Sequence, residues 1–298
     1  MQYQMKDMPS GIGTIWNAVR KPISHFDPFS DIEGFKINIP RLYMDFSHLA
    51  SFLRVLGSDP GDNTLPRFIP SIYPVAFVYP VMLRVVSMSS ISLPMMLSMV
   101  NTKNQICSYQ TISPDWTFGI QAGFTEARSA PKGVELDFSM ELIRSDETIW
   151  QNIVTLFFKN KKLKNRSRNG GFALAPIGNA SNAFLTGMDK KQGKYFCRLI
   201  GDRNAIHTNS IFAKLLGFKD AFSQPYQALG NLLFKENWLS LLNSPGKFYF
   251  EFKGPLYYNE RITVKYNDEN DKLRFDMYSG QNPRPGILGV FERIEANQ

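Results

Sequence analysis

The chain has 298 residues, 43% of them hydrophobic and 20% charged, with a formal net charge of +8. That length suits two domains, and that composition can bury sizeable cores, which excludes a disordered chain. Two cysteines, Cys107 and Cys197, stand far apart; they exclude a disulfide framework and lead us to expect a reducing, cytoplasmic setting.

Residues Met1 to Arg20 lack the charged-then-apolar pattern of a secretion signal. Gly11 and Gly13 lack the third glycine of a dinucleotide loop, because Trp16 stands in its place. His25 lies in a proline-containing loop. Arg41 to Leu56 reads as a helix carrying His48, and Gly57 to Pro70 as a loop. Both histidines read as surface or packing residues.

The apolar stretch Pro74 to Val100 predicts a long buried helix interrupted by its prolines. Within it, Val85 to Val100 carries no charge but is only 16 residues long and contains Pro94 and five serines. A spanning helix needs about 20 apolar residues, so buried core is expected and no membrane span. Four strands follow: Asn104 to Ile112, Thr117 to Thr125, Gly133 to Ile143 and Thr148 to Phe158. Val134 to Leu142 alternates apolar and polar residues, the period of a half-buried strand.

Lys159 to Asn182 is rich in Lys, Asn, Gly and Ser and reads as a linker. Its cations Lys159, Lys161, Lys162, Lys164, Arg166 and Arg168 form a run without an acid, and the remaining chain is near +2. A solvated linker is expected, with a docking patch for acidic or phosphate groups as the alternative. No aromatic residues interleave with the run, so no nucleic-acid partner is expected. Beyond it, Gln224 to Leu242 reads as a helix with Leu229, Leu232, Leu233 and Leu239 on one broad face. Strands at Lys247 to Phe252, Arg261 to Tyr266, Lys272 to Tyr278 and Ile287 to Ile294 follow it. A long helix followed by an antiparallel meander, used twice, predicts an α+β architecture with each helix against a sheet.

The richest chemistry sits between linker and helix. Lys190 to Lys194 leads into a predicted short strand ending at Ile200, and Gly201 permits a sharp turn. Asp202, Asn204 and His207 then follow closely. Thr208 or Asn209 can cap the next helix; Ile211, Phe212, Leu215 and Leu216 give it an apolar face, and Gly217 ends it. A neutral imidazole takes a proton near pH 7, and a nearby carboxylate can orient a water and favour the imidazolium. On residue types alone, a loop-bracing Asp beside a packed His is an equal alternative. No phosphate loop, serine-hydrolase elbow or Cys/His metal spacing appears, and neither metal nor cofactor is expected.

Gly201-Asp202-Arg203-Asn204-Ala205-Ile206-His207, with Phe196 ahead and Ala213 behind, resembles the signature of MaoC-like (R)-specific enoyl-thioester hydratases and dehydratases. Phe250 to Tyr257 is similar to the strand and bend that follow the helix in that family, and Ile69 to Pro74 to the leading half of its two-domain members. The resemblance covers roughly Pro66 to the C-terminus and is more specific in the second half. It implies a double hot dog: residues 1–160 as a degenerate scaffold and acyl-pocket domain, 161–184 as linker, and 185–298 as the catalytic domain. The implied reaction adds water to trans-2-enoyl thioesters, or removes it from 3-hydroxyacyl thioesters, carried by coenzyme A or an acyl carrier protein. Asp202 and His207 would activate the water, and Gly201 and Asn204 would shape the loop.

Met82, Met88, Met95, Met96 and Met99 read as core, with an acyl-tunnel lining as the alternative. The chain departs from the family pattern at Phe196, Ile200 and Ala205, and at Gln224-Pro225, where the family has His-Gly. That glycine's N–H would bind the thioester oxygen, and proline has none. The Gln224 amide or the Tyr226 hydroxyl would stand in. A non-catalytic acyl- or partner-binding module and a thioesterase are the alternative functions. Two hot dogs in one chain would form a pseudo-dimer, with a homodimer left open.

Overall fold

The computed structural model describes residues 2–5, 7–9, 27, 29–32, 35–57, 68–89, 91, 95, 99–130, 133–159, 173–202, 204–235, 238–269 and 271–294. The basic run after Lys159, His25 and Met96 lie outside them.

In chain order the elements are β1 (Gln2–Gln4), β2 (Lys36–Tyr43), α1 (Phe46–Val55), α2 (Val75–Met88) and β3 (Val100–Ser108). Then come β4 (Thr117–Ala130), β5 (Gly133–Arg144), β6 (Glu147–Lys159), β7 (Asn182–Thr186) and α3 (Lys190–Leu199). A 3₁₀ turn (Ala205–His207), α4 (Ser210–Leu215), α5 (Pro225–Lys235) and α6 (Leu239–Leu242) follow. The chain ends with β8 (Gly246–Phe252), β9 (Ile262–Glu269), β10 (Lys272–Ser279) and β11 (Ile287–Arg293). These elements form two compact units that interleave along the sequence. One holds Met1–Tyr43, Phe77–Ile106 and Thr117–Ala173; the other holds Met44–Ala76, Cys107–Trp116 and Leu174–Gln298.

The first unit orders its strands β1-β2-β4-β5-β6-β3. β2, β4, β5 and β6 pair antiparallel in sequence, and β1 joins β2 in parallel. The alternation in β5 has a direct outcome: Val134, Leu136, Phe138, Met140 and Leu142 are all buried. Val78, Val81 and Val85 of α2 are buried as well, and Phe77 meets Phe118 of β4 with ring centroids 6.2 Å apart. Each such side chain contributes roughly 1.5–3 kcal/mol by leaving water. Pro80 stands inside α2 and removes one backbone donor. Val85, Val86 and Ile91 are buried core, and no described helix is long and apolar enough to cross a membrane.

The second unit orders its strands β8-β11-β10-β9-β7, all antiparallel. Its core is aromatic. Phe248 and Phe291 pack with centroids 4.3 Å apart, and Phe250 meets Phe275 at 6.3 Å. Against the core lies α5, which buries Tyr226, Ala228, Leu229, Leu232 and Leu233. Two fully buried carboxylates hold residues 174–177 in place. Glu251 accepts the Leu174 N–H at 2.7 Å and the Tyr249 hydroxyl at 3.0 Å; Asp276 accepts the Ile177 N–H at 2.7 Å and pairs with Arg274 at 2.6 Å.

Three local expectations are corrected. Arg41 to Tyr43 completes β2 rather than opening a helix; α1 starts after Asp45, whose carboxylate accepts the Ser47 and His48 N–H groups as an N-cap. Lys190 to Leu199 is a helix, not an approach and a strand. Its Asp189 cap accepts the Gln192 N–H, and Gly193, Phe196, Cys197 and Ile200 are buried at helical spacing. Gly193 is buried because the Tyr258 ring takes its side-chain space: a Cβ there would stand 2.3 Å from the Tyr258 hydroxyl. The predicted helix Gln224 to Leu242 is two helices, α5 and α6.

Candidate active site

Gly201, Asp202, Asn204 and His207 each have a local reason for their place. Helix α3 ends at Ile200, and Gly201 takes φ +70°, a left-handed conformation that glycine adopts without a Cβ penalty. The reversal sends Asp202 inward, where it is 6% exposed. One of its oxygens, Oδ1, accepts the Asn204 N–H at 2.9 Å. Asn204 is itself a cap, and its Oδ1 accepts the Ile206 N–H at 3.2 Å to start the 3₁₀ turn. That turn delivers His207, also 6% exposed. Asn209, rather than Thr208, caps α4 by accepting the Phe212 N–H at 3.1 Å. Gly217 takes φ +89° beyond its end. The six-residue α4 buries Ala213 but leaves Ile211, Leu215 and Leu216 exposed. The predicted apolar face is therefore only partly covered, because so short a helix packs through one residue.

His207 is fixed in its tautomer. Its Nδ1 lies 3.0 Å from the Phe222 carbonyl oxygen, which can only accept, so Nδ1 carries the proton and donates. In the neutral ring Nε2 is then the basic nitrogen. Nε2 lies 3.8 Å from Asp202 Oδ2, too far for a direct hydrogen bond. The two atoms are spaced to hold one polar group between them. Phe222 also packs edge-on against the imidazole with centroids 5.0 Å apart, which limits its rotation.

Residues 222 and 223 run beside the bend after β8. Phe222 bridges to Tyr257, and Ser223 N–H donates to the Leu256 carbonyl at 2.9 Å. Gln224 is fully buried, and its Oε1 accepts the Tyr226 N–H at 2.7 Å, capping α5. Tyr226 meets Phe252 with centroids 6.4 Å apart. Pro225 occupies the first helical position, where a missing N–H costs least. Thus Gly201, Asp202, Asn204, His207, Gln224 and Tyr226 all belong to the second unit.

Tyr258 escaped the sequence reading. It is buried against Gly193 of α3, and burial, with the neighbouring Cys197 and the Asp202 charge, pushes its hydroxyl pKa up. Burial, reinforced by Asp202, likewise pushes up the Cys197 thiol, which keeps it neutral and unreactive. His48 is structural. Its Nε2 donates to the Leu199 carbonyl at 2.9 Å and its Nδ1 meets the Tyr73 hydroxyl at 2.8 Å, which pins α1 to the end of α3. Among the described residues, no group of His, Cys, Asp and Glu is arranged to hold a metal.

No family model matches the chain. It is similar to 3-hydroxyacyl-thioester dehydratase X of Mycobacterium tuberculosis, with 22% identity over 210 residues, 70% of this chain and 72% of the relative. Among solved structures, HtdX of the same organism superposes with a TM-score of 0.70 at 15% identity, covering 87% of this chain and 100% of the other. A MaoC-like dehydratase from Phytophthora capsici gives a TM-score of 0.72 at 14% identity, covering 89% and 97%. The chain has the α+β double hot-dog fold of the MaoC-like dehydratases.

Proposed function

We propose that this protein is a hydro-lyase that adds water to trans-2-enoyl thioesters, or removes it from 3-hydroxyacyl thioesters. The observation that carries the reading is the oriented His207: Nδ1 is committed to the Phe222 carbonyl, so basic Nε2 faces Asp202 Oδ2 across 3.8 Å. A water held there gives one proton to the pair while its oxygen bonds to C3 of the substrate. The pair returns that proton to C2, so the H and OH of one water are added in all. Asp202 keeps Oδ1 on the turn and offers Oδ2 to the water and to the imidazolium that forms. Gly201 and Asn204 shape the loop, and Gln224, by capping Tyr226, holds the start of α5. The name of the mycobacterial relative supports the same substrate class.

The thioester is carried by coenzyme A or an acyl carrier protein, and the reading calls for no cofactor. Both cysteines are free and buried, which supports a cytoplasmic setting. Residues 1–160 would serve as scaffold and acyl pocket, 161–184 as linker and 185–298 as the catalytic domain. The two hot dogs would act as a pseudo-dimer within one chain. Purified protein is expected to bleach the conjugated enoyl absorbance of coenzyme A or carrier-protein thioesters at one or more chain lengths. Failure at short, medium and long chains, on both carriers and in both directions, would overturn the reading.

A further inference from the structure

From Pro225 to Ala228, α5 offers no open backbone donor. The first four N–H groups of a helix are normally unpaired. Here Pro225 has none, Tyr226 N–H goes to Gln224 Oε1 at 2.7 Å, and Gln227 and Ala228 N–H go to the Gln224 carbonyl at 3.0 and 3.3 Å. A thioester carbonyl brought to this helix end finds no main-chain partner among residues 225–228.

The same turn carries an unusual side chain. Gln227 is 0% exposed, yet neither its Nε2 nor its Oε1 has a hydrogen-bond partner. Buried amides are almost always paired, so an orphan calls for an explanation. Helical side chains lean toward the N-terminus, which places this amide over the turn that begins at Ser223 and Gln224. Ser223 follows Phe222, whose carbonyl fixes His207, and the Ser223 hydroxyl is also buried and unpartnered.

We propose that Gln227 Nε2 donates the hydrogen bond that polarises the substrate's thioester carbonyl, replacing the backbone N–H that Pro225 lacks. This rests on the hydratase reading above. Charge that develops on the carbonyl oxygen as water adds to C3 is stabilised by a neutral, water-shielded donor. Oε1 is left to accept an N–H from the carrier arm of the substrate.

The test uses Gln227→Met, which keeps the length and removes both polar atoms. It is expected to lower kcat by about 100- to 1,000-fold. It is also expected to raise the melting temperature of the free protein, because an unpaired buried amide gives way to an apolar chain. A 2,4-dienoyl-coenzyme A probe reports carbonyl polarisation directly, as a red shift of its absorbance on binding. In an Asp202→Asn background, which holds the probe unreacted, the shift is expected; Asp202→Asn/Gln227→Met should bind the probe without it. An equal red shift in both, unchanged kcat, or a lower melting temperature or failure to fold for Gln227→Met would each overturn the assignment. Turnover lost in Asp202→Asn but kept in Gln227→Met sinks this inference and spares the hydratase reading. No turnover by the wild type sinks both.

Discussion

Asp202→Asn is expected to lower kcat for enoyl-thioester hydration by about 100- to 10,000-fold while leaving the fold intact. The geometry separates the two roles of this side chain. Oδ1 accepts the Asn204 N–H at 2.9 Å, a bond that an amide oxygen also makes. The turn therefore survives. What disappears is the charge on Oδ2, 3.8 Å from His207 Nε2. An amide placed there no longer favours the imidazolium. Stopped-flow or steady-state loss of enoyl absorbance measures the rate, and a thermal melt shows whether the fold is retained. Were Asp202 only a brace for the loop, rate and melt would both stay near wild type.

Phe196→Ala is expected to destabilise the protein by about 3–5 kcal/mol. Phe196 is fully buried in α3, and its ring lies 5.6 Å from that of Phe52 on α1. Truncation removes the transfer free energy of the ring and leaves a cavity that α1 and α3, pinned by the His48–Leu199 bond at 2.9 Å, close only in part. Against a typical total of about 5–15 kcal/mol the loss is large. Urea unfolding followed by circular dichroism checks it. A loss under about 1 kcal/mol would mean that this helix pair does not anchor the turn that follows it.

Eight of the eleven described strands were legible in the sequence, because a half-buried strand writes its burial into every second residue, as Val134 to Leu142 does; β1, β2 and β7 were not. α5 was legible because its leucines recur at helical spacing. The turn was legible because Gly201, Asp202, Asn204 and His207 are close in sequence, and capping is local chemistry. Helix α3 was not. Its buried face includes Gly193, which reads as a breaker until the Tyr258 ring is placed over it. The carbonyl that fixes His207, the hydroxyl of Tyr258 and the buried amide of Gln227 depend on contacts between distant segments. No local period reports them. Glu251 and Asp276 are fully buried carboxylates that accept backbone N–H groups of the segment at 174–177, contacts between segments far apart in the sequence.

The central claim is that Asp202 and His207 act on one water as a single unit. The direct measurement is a double-mutant cycle in kcat for enoyl-thioester hydration, with Asp202→Asn, His207→Ala and the pair together. Residues that act as a unit lose most of their effect at the first substitution. The account predicts that the double variant is no slower than the slower single variant, within about threefold. Single-site losses that multiply in the double variant, or singles that match the wild type, would contradict it.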